Sequence, residues 1–353
     1  MHIKDYEKFG VLPFSRWDYE PVKAANELMA SGKVEEGLSQ LQKLAEEGNA
    51  IAMFYMGKHH LEGNGVEEDE KKAVEWYTKA AEAGEIESQM CLAYFYKLGK
   101  HGLKKDYQKT KEWYEKAALQ NFNEAQYYLG SLYLLYGSTE EDYSNAIFWL
   151  TKSAESGYTP AQQDLGDCYE EGEKVKQDYQ EALKWYKKAA RNPLCAYHAG
   201  RIYYEVEKNF EEAFKWLKLA AEASEERAQS LLGEMYEKGE GVPQDIETAV
   251  KWYKEAAENE EEKAQYNLAR CYENGYGIKR NMNKAVEWYT VAIEQYEPRA
   301  LNRVGELEME GEFMPQNTKH AHFCFQEAAE QGNKDAVENL KKYFNETVSP
   351  KND

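Results

Sequence analysis

The densest run of metal-ligating side chains in this sequence is His320-Ala321-His322-Phe323-Cys324. Imidazole and thiolate together suit zinc. On a helix, residues four apart share a face, so His320 and Cys324 lie together while His322 points away. Two ligands fall short of a zinc site, and a histidine pair beside a core cysteine is the expectation, with no metal bound. His59-His60 is weaker still, because adjacent helix residues diverge. Cys91, Cys168, Cys195, Cys271 and Cys324 are five, an odd number, and none sits in a close Cys-x-x-Cys pair. They read as small buried hydrophobes in a reducing compartment.

Nothing in the chain has the spacing of a catalytic or nucleotide-binding motif. There is no Gly-x-Ser-x-Gly elbow and no His-Glu-x-x-His. The Gly-x-Gly turns, such as Gly239-Glu240-Gly241, lack the Lys-Ser/Thr of a P-loop and follow helical rather than strand patterns. Carboxylates stand at every solvent-facing position, so no pair is singled out as acid and base. The expectation is a protein with no catalytic residue, no cofactor and no metal; a hydrolase is a remote alternative.

Charge narrows the partners. Asp and Glu number 64 against 44 Lys and Arg, a net charge of −20. Such a chain repels phosphate backbones, so nucleic acid is not expected, and basic or mixed protein surfaces fit better. No apolar run approaches the roughly 18 residues of a membrane span. The opening Met1-His2-Ile3-Lys4-Asp5-Tyr6 has no basic segment leading into an apolar stretch. A cytoplasmic monomer without membrane insertion is expected.

The elements that must position any site come from an internal repeat. Tryptophan stands at 17, 76, 113, 149, 185, 216, 252 and 288, and from Trp76 onward the gaps are 37, 36, 36, 31, 36 and 36. A further 36 lands on Cys324; 36 before Trp76 lands on Gln40, where Leu38, Leu41, Leu44 and Ala45 keep the apolar register. One unit shows the physics. Ala228, Leu232 and Tyr236 recur every four residues and form one apolar stripe of a first helix. Gly233 beside it lets a neighbouring helix approach closely. Ala249, Trp252, Tyr253, Ala256 and Ala257 form the wider stripe of a second helix, bulky rings between small residues. Glycines at 63, 239 and 275 should end first helices in the left-handed cap. Gly48, Gly84, Asn121, Gly157, Asn192, Asn259 and Gly332 should end second helices.

Ala-x-x-x-Leu-Gly-x-x-Tyr, a Gly-x-Gly-Val turn and Lys-Ala-x-x-Trp-Tyr-x-Lys-Ala-Ala-Glu-x-Gly together resemble the Sel1-like repeat, a relative of the tetratricopeptide repeat. Residues 72–84 match it nearly letter for letter. The resemblance implies an all-α, right-handed superhelical solenoid of antiparallel helix pairs. Residues 22–345 would form it, as a degenerate first unit, eight fuller repeats and a single closing helix. Residues 1–21, with Phe9, Leu12, Phe14 and Trp17 but no helical period, are expected to cap the stack or lie in its groove; 346–353 form a polar tail. Departures include the unit at 193–223, five residues short and without Gly-x-Gly, and Glu308, where Tyr is usual.

The resemblance also implies a scaffold or adaptor that binds a protein or peptide in the concave groove. The alternative is a bacterial immunity or effector-type protein engaging a specific, basic toxin or host protein. With the stripe leucine as reference, positions two before, two after and five after fall opposite the core. In the first half these include Phe54, Met90, Tyr94, Tyr127 and Leu134; in the second, Tyr197, Arg201, Tyr204, Tyr266 and Arg270. Tyr and Arg are enriched where proteins recognise one another. These ten are the candidate partner-binding residues, unless their rings and guanidinium groups pack against the next repeat's first helix instead.

Overall fold

A computed structural model of the chain describes residues 20–346. Among these residues every regular element is an α-helix, and there are nineteen. Residues 20–168 with 172–176 form one compact unit, and 169–171 with 177–346 form a second. The expected cap at the N-terminus and most of the polar tail lie outside the described residues.

The first unit holds α1 (Glu20–Ala30), α2 (Val34–Glu46), α3 (Ala50–Glu62), α4 (Glu70–Glu82), α5 (Ile86–Leu98), α6 (Tyr107–Leu119), α7 (Asn123–Tyr136) and α8 (Glu140–Glu155). The helix α9 (Thr159–Glu171) follows. The second unit continues with α10 (Tyr179–Lys188), α11 (Pro193–Glu205), α12 (Phe210–Glu222), α13 (Glu226–Lys238), α14 (Ile246–Glu258), α15 (Glu262–Asn274), α16 (Met282–Glu294), α17 (Pro298–Glu310), α18 (Thr318–Glu330) and the closing α19 (Lys334–Phe344). Within each unit, helices consecutive in the chain pack on one another, as α13 does on α14 and α14 on α15. This is the helix-pair stack that the 36-residue period requires.

Caps fix where these helices begin and end. Asp69, Asp106, Asp178 and Asp245 each accept from a backbone N–H of the first turn of a second helix. First helices begin differently: Glu85, Glu225, Glu261 and Glu297 bend their carboxylates onto the open N–H groups of α5, α13, α15 and α17. Gly63, Gly239 and Gly275 close first helices in the left-handed conformation, as the sequence predicts. Two expected stops come out otherwise. Asn192 has φ −83° and caps the start of α11, accepting from Leu194 N–H. After α14, Asn259 keeps φ −96° and the positive φ of 67° falls one residue later, on Glu260.

In α4, α10, α14 and α16 the tyrosine after the tryptophan is buried completely: Tyr77, Tyr186, Tyr253 and Tyr289. Trp76, Trp252 and Trp288 are half-buried, whereas Trp113 and Trp185 are buried. A tyrosine hydroxyl can go inside only if it meets an acceptor, and in the second unit the repeat supplies one.

Candidate partner-binding face

That acceptor is a glutamate five residues after the stripe leucine. In the second unit, Tyr186, Tyr253 and Tyr289 donate to Glu170, Glu237 and Glu273 at 2.7, 2.7 and 2.6 Å. Each glutamate also takes an arginine from the following first helix. Arg201 reaches Glu170, Arg270 reaches Glu237 at 2.6 Å and Arg303 reaches Glu273 at 2.6 Å. Burial alone would raise the pKa of Glu237, but the hydrogen bonds from Arg270 and Tyr253 and the guanidinium charge outweigh it and hold it below the usual carboxylate range. Glu170 is held low by the same balance, with His198, Tyr186 and Arg201 as partners. The result is a Glu–Tyr–Arg clamp that ties a first helix to its own second helix and to the next repeat. Sequence reasoning passed over it, although the spacing of Glu to Tyr is 16 residues in all three copies.

Removing the tyrosine hydroxyl while keeping the ring isolates one arm of the clamp. Tyr253→Phe is expected to lower stability by about 1 kcal/mol, because Glu237 keeps Arg270 as a partner. The urea midpoint should fall with an unchanged slope; an unmoved midpoint would show the hydroxyl to be energetically silent.

The ten candidate residues are distributed unevenly. In the second unit all five are half-buried. Arg201 and Arg270 are occupied by the clamp, Arg201 also pairing with Glu205 at 3.1 Å. The Tyr204 hydroxyl donates to Glu240 at 2.6 Å and accepts from Lys238 at 3.0 Å. Tyr197 and Tyr266 differ, each lying beneath a guanidinium from the next first helix. Arg227 sits 4.9 Å from the Tyr197 ring centre and Arg299 4.3 Å from that of Tyr266. The two arginines are themselves anchored by the buried cap residues Glu225 and Glu297, at 3.0 and 2.7 Å.

In the first unit the same face is aromatic rather than ionic. Phe54 meets Tyr77 edge-on at 5.6 Å, and Tyr127 lies 5.2 Å from Tyr158. The ammonium of Lys100 stands 5.5 Å over Tyr94. Leu134 is half-buried and packed on the core. Met90 is 6% exposed and belongs to the core itself. Its register position is right, but an unbranched thioether folds inward wherever a gap admits it. All five cysteines are buried.

These observations define the class first: an α-helical repeat protein whose helix pairs stack through small-residue stripes and inter-repeat ion pairs. The profile of the Sel1 repeat matches residues 50–85, 86–122, 123–158, 159–193, 194–225, 226–260, 262–296 and 298–333. The chain belongs to the Sel1 repeat family. Its structure is similar to that of a protective antigen with an SLR fold from uropathogenic Escherichia coli strains, with TM-score 0.72, 32% identity, and coverage of 88% of this chain and 68% of the other. It is also similar to a Sel1 repeat protein from Oxalobacter formigenes, with TM-score 0.71, 27% identity, and coverage of 92% and 94%. Among curated proteins no match was found. Among the described residues, no helix is long and apolar enough to cross a membrane.

Proposed function

We propose that this protein is a non-catalytic scaffold whose first-helix face holds a protein or peptide partner. The observation that carries the reading is the pair of half-buried tyrosines, Tyr197 and Tyr266, each presented under an arginine that a buried glutamate holds in place. Rings and guanidinium groups fixed this way lose little side-chain entropy when a partner docks, which is where binding hot spots concentrate. The net charge of −20 favours a partner with a basic or mixed surface. The arginines at 201 and 270 then serve the stack, and the tyrosines serve the partner.

The test is affinity purification from the native host, with partners read by mass spectrometry and affinity measured on the purified pair. Tyr197→Ala with Tyr266→Ala should weaken binding by about 30-fold or more, the effect of losing one strong anchor of about 2 kcal/mol. Circular dichroism must show the fold intact. A double variant that binds as tightly as the parent would sink the assignment of this face.

A further inference from the structure

The last full repeat breaks the pattern at three positions that meet in space. In the preceding repeat these positions are Tyr272, Lys284 and Trp288, and the Lys284 ammonium lies 5.3 Å over the Tyr272 ring. Thirty-six residues on, they become Glu308, His320 and Cys324. A packed aromatic corner is thereby replaced by a carboxylate, an imidazole and a thiol. The two oxygens of Glu308 each stand 2.9 Å from Nδ1 of His320. The Cys324 Sγ lies 3.7 Å from Nδ1 and 3.8 Å from Nε2 of the same ring. One ligand atom from each of the three residues falls within 4.8 Å of the others.

We propose that Glu308, His320 and Cys324 form a zinc-binding site that clips α17 to α18 at the end of the stack. Oxygen, nitrogen and sulfur donors together are a set that Zn²⁺ accepts readily. Ligands at about 2.0–2.3 Å from a tetrahedral zinc stand roughly 3.3–3.6 Å apart; the Cys324–His320 separation of 3.7 Å is already close to this, the Glu308–His320 pair must open slightly, and all three ligand atoms start within 4.8 Å of one another. Glu308 is 6% exposed and Cys324 0%, whereas the His320 side chain is 39% exposed, which leaves a way in from solvent and room for water as fourth ligand. On binding, the Cys324 thiol would give up its proton to solvent as the sulfur bonds the metal. Cys271, by contrast, has no such neighbours among the candidate metal clusters of the described residues.

The full chain, stripped with a chelator, is titrated with Co²⁺ and with Zn²⁺ against a chromogenic competitor. One equivalent should bind, and the Co²⁺ form should show tetrahedral ligand-field bands with a thiolate charge-transfer band. Cys324→Ser, His320→Gln and Glu308→Gln should each weaken Zn²⁺ binding by about 100-fold or more, since even outer-shell partners of a metal are worth 10–100-fold. His322→Gln and Cys271→Ala should bind as the parent does. Zinc should also raise the melting temperature of the parent and leave that of Glu308→Gln unmoved, a readout that needs only a folded variant. Failure to take up zinc, a cobalt spectrum without the thiolate band, or Cys324→Ser retaining parental affinity overturns the proposal and leaves a Glu308–His320 hydrogen bond beside a core cysteine. These outcomes are independent of partner binding at Tyr197 and Tyr266.

Discussion

Gly233→Leu is expected to destabilise the second unit by roughly 3 kcal/mol or more, at the upper end of what overpacking costs. A Cβ built on Gly233 would stand 2.6 and 2.7 Å from two carbons of the Tyr253 ring and 3.3 Å from the Ala249 carbonyl oxygen. The ring has nowhere to go, because Tyr253 is completely buried and its hydroxyl is held by Glu237. Alanine at this position sharpens the test. In an exposed helix Gly→Ala gains about 1 kcal/mol of helix propensity; here the clash should cancel that gain and leave Gly233→Ala less stable than the parent. Because each repeat touches only its neighbours, the loss should appear as an earlier transition of the affected repeats, resolved by hydrogen exchange in α13 and α14. Protection there equal to the parent's would show that the helices can separate without penalty.

A second large effect follows from the glutamates that cap first helices. Glu261 is 4% exposed, and burial raises its pKa from 4.5 to about 7, with its hydrogen bonds from Ser230 and Ala264 offsetting part of the rise. Glu85, capping α5 in the first unit, is raised to about 8 by burial and by neighbouring Glu87. Between pH 4.5 and these values the folded chain binds more protons than the unfolded one, so stability rises as pH falls through the window. For Glu261 the difference amounts to roughly 3 kcal/mol, at about 1.4 kcal/mol per unit. The melting temperature is therefore expected to be higher at pH 5.5 than at pH 8.5. Relief of repulsion among the excess acids acts in the same direction. Glu261→Gln separates the two, since its amide oxygen can still accept from Ala264 N–H but carries no charge. The variant should exceed the parent at pH 8.5 and converge with it near pH 5; a gap that ignores pH would remove Glu261 as the cause. Below about pH 4.5 the trend reverses, because Glu170 and Glu237 have lowered pKa values and their stabilisation is lost as they protonate.

The helix pairs were legible in the sequence because they answer to local rules. A stripe every three or four residues, a glycine in the left-handed cap and tryptophans 36 apart report on neighbours within one turn or one repeat. Where two adjacent residues could take one local role the sequence pointed one position off: the left-handed residue after α14 is Glu260 and not Asn259. The candidate face was legible only as register. Register placed Tyr197 and Tyr266 on the first-helix face, and it placed Arg201 and Arg270 there equally, with nothing to say that glutamates 31 and 33 residues upstream would take the arginines.

That division is general for this chain. Sequence by itself determined the family, the all-helical stack and the positions that share a helix face, since those depend on backbone periodicity and on side chains close along the chain. Only the tertiary structure decided which polar groups meet. Glu308 was visible as a missing tyrosine, Cys324 as a missing tryptophan and His320 as half of a histidine pair, each unremarkable alone. The packing of α17 on α18 sets all three within 4.8 Å, a distance governed by how two helices cross and not by any spacing along one of them.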